Sequence, residues 1–314
     1  GLPQAYLRKG KLSAGLAWAF ERAVRKNPQG AALYYEDQKF SYEELNAWSN
    51  QISHYFLSIG AKKGDVVAVM LENRPEFLAT VIGLAKIGVI SALVNTSQTN
   101  KVLTHSINLV KPIALIAGEE VQEAILAVRE DLTLAKDRLF WFADQETLKN
   151  VGKAPTYFQN LAENIQQFAK FNPPTTQHIT GSDGLFYIYT SGTTGLPKAV
   201  VFRNGRWMLA YGTYGHILDL NQDDVMYSTL PLYHATGLVV CWCGVIAGQS
   251  AFAIRRKFSK THFWDDVRKF DASAIGYVGE LCRYLLDGTP SPQDRQHRVT
   301  KMIGNGMRPN IWDE

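Results

Sequence analysis

The sequence predicts an α/β fold with mainly parallel sheets flanked by helices. Two observations carry that expectation. Short apolar runs, too short for helices, alternate with amphipathic stretches long enough to cross back over a sheet, which is the signature of βαβ units. The runs at residues 66–71 and 90–94 are apolar almost throughout, as strands buried on both faces require. The composition suits such a core: of 314 residues, 46% are hydrophobic and 20% charged. Wholesale disorder is excluded.

The elements follow in order. Ser41-Tyr42-Glu43-Glu44 reads as a capping box that opens a helix through Leu45, Trp48, Ile52 and Phe56, closing near Gly60. A strand at 66–71 precedes a helix opened by Asn73-Arg74-Pro75 and running to Gly88. Further strands are expected at 90–94 and 113–117, then a helix from Glu119 and a strand at 139–142. Residues 149–183, with Pro155 and Pro173-Pro174, look like a connection built around one amphipathic helix near 157–168. The alternation resumes with strands at 185–190 and 199–202 and a helix at 204–218. Helices at 259–270 and 281–286 and strands at 274–278 and 299–303 complete the pattern.

Charge and cysteine content narrow the function classes. Thirty-three Lys and Arg against 29 Asp and Glu leave +4, too mild a balance to imply nucleic acid, and no aromatic-basic repeats of an RNA-binding sheet occur. Cys241, Cys243 and Cys282 form no CxxC pair, so free, buried thiols in a reducing cytosol are expected. Residues 225–254 contain no Asp, Glu, Lys or Arg, yet Pro231, Gly237, Gly244, Gly248 and Gln249 interrupt the run. It reads as strand, loop, buried helix and strand rather than a membrane span. The expected location is cytoplasmic, with peripheral association at the inner face of a membrane as the alternative.

The stretch richest in chemistry is Tyr189-Thr190-Ser191-Gly192-Thr193-Thr194-Gly195-Leu196-Pro197-Lys198. After a strand, it brings four aliphatic hydroxyls, two glycines and a lysine into one turn. Glycines let backbone N–H groups close around an anion, hydroxyls add donors or hold magnesium, and lysine adds a compact positive charge. The spacing is not that of a Walker A loop: Leu196 and Pro197 separate glycine from lysine, and no Ser or Thr follows. A plain polar turn is the alternative reading of such residues.

The whole string resembles the phosphate loop of the adenylate-forming (AMP-binding) superfamily, which includes acyl-CoA synthetases, luciferases and peptide-synthetase adenylation domains. Further segments are similar to its fatty acid transport protein, or very long-chain acyl-CoA synthetase, branch. These are Glu72-Asn73-Arg74-Pro75-Glu76-Phe77, Leu230-Pro231-Leu232-Tyr233-His234-Ala235-Thr236-Gly237, Tyr277-Val278-Gly279-Glu280-Leu281-Cys282-Arg283-Tyr284-Leu285-Leu286 and Gly304-Asn305-Gly306-Met307-Arg308-Pro309. The likeness runs from about Leu16 to the last residue. It implies the large N-terminal domain of an adenylate-forming synthetase over 1–314, incomplete, with approximate subdomains 1–180 and 181–314.

The resemblance also implies chemistry. A long-chain fatty carboxylate would attack the α-phosphorus of ATP, and coenzyme A would then displace AMP to form the thioester. Residues 189–198 would hold the β- and γ-phosphates, with Thr190 on Mg²⁺, and Gly304, Asn305 and Gly306 would wall the nucleotide site. His234 would orient the acyl carboxylate or gate the acyl tunnel, beside Gly279 and Glu280. Plainer readings compete: a satisfied core histidine, a simple turn at 304–306, core leucines at Leu281, Leu285 and Leu286, and a solvated strand end at Arg255, Arg256 and Lys257. The family's Tyr-Gly-x-Thr-Glu motif, its ribose-binding Asp and its mobile C-terminal domain with a catalytic lysine are not found before Glu314. With Gly1 in place of Met, the expectation is an excerpt of a ligase that does not complete the reaction alone. A ligase for another carboxylate, such as a bile acid or carnitine-like acid, and a membrane-associated fatty acid uptake protein are the alternatives.

Overall fold

The computed structural model describes residues 13–144, 153–190, 195–288 and 290–311. In chain order the strands are β1 (Ala31–Tyr35), β2 (Gln38–Ser41), β3 (Val66–Met70), β4 (Ile90–Leu93), β5 (Ala114–Gly118), β6 (Leu139–Phe142) and β7 (Gln159–Asn160). They continue with β8 (Gly184–Thr190), β9 (Lys198–Arg203), β10 (Val225–Ser228), β11 (Ala251–Ile254), β12 (Ala274–Val278) and β13 (Lys301–Asn305). The helices are α1 (Leu16–Lys26), α2 (Tyr42–Ser58), α3 (Pro75–Lys86), α4 (Asn100–Leu109) and α5 (Gln122–Val128). After them come α6 (Leu161–Asn164), α7 (Asn204–Leu218), α8 (Trp242–Gly248), α9 (Phe263–Lys269) and α10 (Gly279–Leu286).

The chain divides into two compact units. One takes the chain up to Glu21 with Asn46–Glu72 and Glu76–Met208; the other takes Arg22–Leu45, Asn73–Pro75 and the chain from Leu209 onward. The first unit's sheet has the order β7-β6-β5-β3-β4-β8-β9, and the second unit's has β13-β12-β10-β11-β1-β2. Neighbouring strands are parallel except for the edge pairs β8/β9 and β1/β2. The inner strands β3, β4 and β5 are buried at every position, so the apolar runs reflect cover on both faces.

Local signals match local structure. Glu44 N–H donates to Ser41 Oγ (3.1 Å) and Ser41 N–H to Glu44 Oε2 (2.8 Å), so the expected capping box opens α2. The charge-free segment 225–254 forms β10, a loop, a π-helical turn (Thr236–Cys241), α8 and β11. Among the described residues no helix is long and apolar enough to cross a membrane. Cys241, Cys243 and Cys282 are free and buried, and desolvation pushes the Cys241 thiol up to about 12.

Several expectations need correction. The helix near 157–168 shrinks to α6, because Gln159 and Asn160 instead pair with β6 and Asn160 caps the short helix through its side chain. The helix at 259–270 starts only at Phe263. The strand placed at 299–303 lies two residues later, at Lys301–Asn305. Helices α1 and α4 and the hairpin β1–β2 went unread. Arg255 is no solvated strand end: Nη1 meets Asp266 Oδ2 at 2.6 Å, and Tyr227 donates its hydroxyl to the same oxygen at 2.7 Å.

The first unit's core holds an ammonium group. Lys86, at the end of α3, is fully buried. Its Nζ donates to Asn46 Oδ1 (2.6 Å) and Asn50 Oδ1 (2.6 Å) on α2, and to Asn172 Oδ1 (2.9 Å). Glu21 Oε1 on α1 stands 3.4 Å away. The Lys86 carbonyl accepts from Thr175 Oγ1 at 2.9 Å. One side chain thus ties α1, α2, α3 and the 172–176 segment together. Burial lowers its pKa from 10.5 to about 8 against the opposing pull of Glu21.

Lys86→Met is expected to cost about 3 kcal/mol in urea unfolding, because the buried amide oxygens of Asn46 and Asn50 lose the donor they share and Glu21 loses its buried counter-charge. The pH arm has a definite sign. Between about 8 and 10.5 the unfolded chain binds more protons at Lys86 than the folded one, so this group's contribution to stability rises with pH. The gap between wild type and Lys86→Met should therefore widen across that window, and a constant gap would contradict the assignment.

Candidate functional site

In the first unit, β8 and β9 form an antiparallel pair whose final register pair is Thr190 opposite Lys198. Side chains alternate along a strand, so Tyr189 turns into the core while the exposed Thr190 and Lys198 share the opposite face. The hairpin thus ends in a hydroxyl and an ammonium facing one another across its mouth. Ser191, Gly192, Thr193 and Thr194 lie outside the described residues. Beyond them Gly195 has φ +85°, a conformation that a side chain would strain, and among the described residues no atom lies near where its Cβ would sit. Leu196 is exposed, and Pro197 leads into β9.

Two anchors hold this turn. The Tyr189 hydroxyl donates to Ser106 O at 2.7 Å, and His105 Nε2 lies 3.0 Å from Pro197 O. Desolvation keeps the Tyr189 phenol far above the usual tyrosine range, so it remains a neutral donor. Both partners sit on α4, the helix that sequence reasoning missed. No cluster of His, Cys, Asp and Glu able to hold a metal exists among the described residues. A hydroxyl without carboxylates suits a magnesium ion that arrives on a nucleotide and keeps phosphate and water ligands.

In the second unit, the carboxyl ends of the parallel strands β10, β12 and β13 converge, the edge where ligands bind in open α/β sheets. After β10 the chain turns through Pro231 and Tyr233 to His234, and Leu238 N–H donates to His234 O at 3.2 Å. The following π-helical turn is a geometry concentrated at functional positions. His234 is exposed, its ring 4.6 Å from that of Tyr233. Asn305, at the end of β13, donates to Thr236 Oγ1 at 3.3 Å. Gly279 is dictated by approach: a Cβ there would fall on the Gly306 carbonyl. His234, Thr236, Gly304, Asn305, Gly306 and Gly279 are thus brought to one strand edge.

Glu280 stands differently. Its carboxylate is held by Arg283, with Arg308 Nη2 at 3.4 Å, and Arg283 keeps its pKa below the usual glutamate range. It presents an ion pair rather than a free carboxylate. Sequence reasoning assigned Asn73 only to a helix start. In the structure its buried amide accepts from Leu232 N–H (2.8 Å) and donates to Leu230 O (2.9 Å) and Arg255 O (3.1 Å). It braces the loop carrying His234. Its pairing with a loop 157 residues away leaves no local signal.

Residues 20–314 match the AMP-binding enzyme family. The chain belongs to that family. Among its relatives, the medium/long-chain-fatty-acid–CoA ligase FadD6 of Mycobacterium tuberculosis is 32% identical over 100% of this chain and 50% of the relative. The rat long-chain fatty acid transport protein 1 is 36% identical over 94% of this chain and 45% of the relative. The chain therefore spans about half the length of the curated relatives it matches.

Solved structures agree on the fold. An inhibitor-bound N-terminal domain of FACL13 from Mycobacterium tuberculosis superposes with TM-score 0.80 at 21% identity, covering 95% of this chain and 72% of that one. The anthranilate CoA ligase AuaEII, in complex with anthranoyl-AMP, reaches 0.83 at 15% identity over 95% of this chain and 56% of that one.

Although His234 keeps exposed surface, the surrounding loop partly desolvates its ring, which disfavours the imidazolium and lowers its pKa below the ordinary 6.5. His234 is thus neutral at neutral pH, and protonating it as pH falls through its folded pKa costs stability. An NMR titration assigned with His234→Gln should give a midpoint below the ordinary histidine value of 6.5. A midpoint at or above it would refute the burial argument.

Proposed function

We propose that this chain is the nucleotide- and acyl-binding part of an ATP-dependent long- or very long-chain fatty acyl-CoA ligase. The observation that carries the reading is the end of the β8–β9 hairpin, where Thr190 and Lys198 stand opposite one another beside a positive-φ Gly195. An ammonium and a hydroxyl on one face, with accessible backbone, are what polyphosphate oxygens need.

In the proposed reaction, a carboxylate oxygen of the fatty acid attacks the α-phosphorus of MgATP. The bond to the bridging oxygen of pyrophosphate breaks, and an acyl-adenylate forms. The sulfur of coenzyme A then attacks the acyl carbon and AMP leaves. The first step is limited by positioning and charge neutralisation rather than by proton transfer. Lys198 and Thr190, with the glycine-rich turn between them, would hold the β- and γ-phosphates. His234, neutral and able to donate a hydrogen bond, would orient the acyl carboxylate without trapping it in an ion pair. Gly304, Asn305 and Gly306 would line the adenylate, with Gly279 and Glu280 at the acyl side. The names of FadD6 and of the transport protein support long-chain fatty acid as substrate class.

A second reading, fatty acid uptake at a membrane surface, is favoured by the similarity to the rat long-chain fatty acid transport protein 1. In it, the same esterification traps the acid, and the protein sits peripherally on the inner leaflet. Co-sedimentation with anionic vesicles separates it from a purely cytosolic ligase.

The test is fatty-acid-dependent ATP–pyrophosphate exchange, run on this chain and on any longer form of the protein with graded fatty acids, a bile acid and a carnitine-like acid. Exchange driven by long-chain acids is expected, and Lys198→Ala should lower it on the order of 100-fold. Exchange driven only by another carboxylate, or indifferent to Lys198, would overturn the reading.

A further inference from the structure

Both limbs of the glycine-rich turn are tied to one helix. On the entry side Tyr189 Oη donates to Ser106 O, a buried bond of 2.7 Å bridging 83 residues. On the exit side His105, the preceding residue of α4, places Nε2 3.0 Å from Pro197 O. A carbonyl oxygen only accepts, so Nε2 carries a proton, in the neutral tautomer or in the cation.

Neither bond is needed to form the hairpin, whose strands already pair from Gly184 opposite Arg203 to Thr190 opposite Lys198. What they add is a fixed place for Tyr189 and Pro197 against α4. Pro197 lacks an N–H, so its carbonyl is that residue's one backbone hydrogen-bonding group. That carbonyl shares a rigid peptide plane with the N–H of Lys198. Holding the Pro197 oxygen therefore sets the direction in which the chain enters Lys198. The Tyr189 bond, buried and neutral, is the pivot, and the half-buried His105 bond is the adjustable arm.

We propose that His105 is a positioning residue for the phosphate-binding turn: through the Pro197 peptide plane it sets the approach of Lys198 to the phosphates of MgATP. The proposal rests on the phosphate reading of the turn. His105 touches no substrate in this role. It lines an open groove with Leu109, Lys111, Tyr187, Leu196 and Lys198, so shortening its side chain leaves no enclosed cavity in the core.

The experiment is direct titration of MgATP into the wild-type chain, His105→Ala and His105→Gln, with the thermal midpoint of each recorded alongside. Glutamine places an N–H donor near the position of Nε2, which alanine does not. His105→Ala is expected to weaken MgATP binding about 5- to 10-fold at an unchanged midpoint, in line with loss of one hydrogen bond. His105→Gln should recover to within about 3-fold of wild type. Wild-type binding with an undiminished His105→Ala overturns the positioning role while leaving the phosphate reading intact. Equal weakening in both variants also overturns it, since the side-chain donor would then not be the cause. Absence of MgATP binding by the wild type overturns the phosphate reading and this proposal with it.

Discussion

Parallel strand pairing is the constraint on which the rest of this structure depends. A parallel pair cannot be closed by a two-residue hairpin, so every crossover must travel back along the sheet, usually as a helix. The helices then cover both faces, which leaves β3, β4 and β5 buried throughout, apolar except at Ser91, and excludes water from their hydrogen bonds. Because all such strands end on the same edge, the loops after β10, β12 and β13 gather there without further instruction. Chemistry is placed at that edge by topology before any particular side chain is chosen. The antiparallel exceptions lie at the sheet margins, and one of them, β8–β9, carries the glycine-rich turn.

Two buried polar side chains within this framework, Lys86 and Asn73, are satisfied by protein groups rather than by water. Lys86 stands among three asparagine oxygens and a glutamate, and the depressed pKa records what its desolvation costs. Such a cage, taken whole, adds little net stability over apolar side chains packed in its place, but removing one member is costly and it tolerates only one arrangement of its donors and acceptors. Asn73 acts similarly in the second unit, where one amide satisfies three backbone groups and holds the His234 loop. In both places rigidity comes from completing hydrogen bonds that would be expensive to leave open.

Much of the fold and part of the site were legible in the sequence because their determinants are local. The Ser41–Glu44 box, the strand cores and the helix at Asn204–Leu218 are written in neighbouring residues. So is the turn from Tyr189 to Lys198, since its glycines, hydroxyls and lysine are contiguous. The amphipathic pattern at 157–168 misled because Gln159 and Asn160 found a partner in β6, and tertiary pairing outweighs a weak helical period. Arg255 looked solvated because its partner, Asp266, is supplied by another element. Helix α4 was missed for a related reason: only Leu103, Ser106 and Ile107 along it are buried, too narrow a stripe to register as a period.

By itself, the sequence determined the α/β class, the order of most elements, the free cysteines and the residues from which a glycine-rich turn and a histidine-bearing loop are made. Only the tertiary structure decided what holds those pieces in place. It put β1 beside β11, turned the hydroxyl of Tyr189 inward to Ser106, gave Pro197 to His105 and committed Glu280 to Arg283. The division has a physical reason. Backbone propensity and turn chemistry act over a few residues, while a donor and an acceptor 83 or 157 positions apart meet only once the sheets have closed.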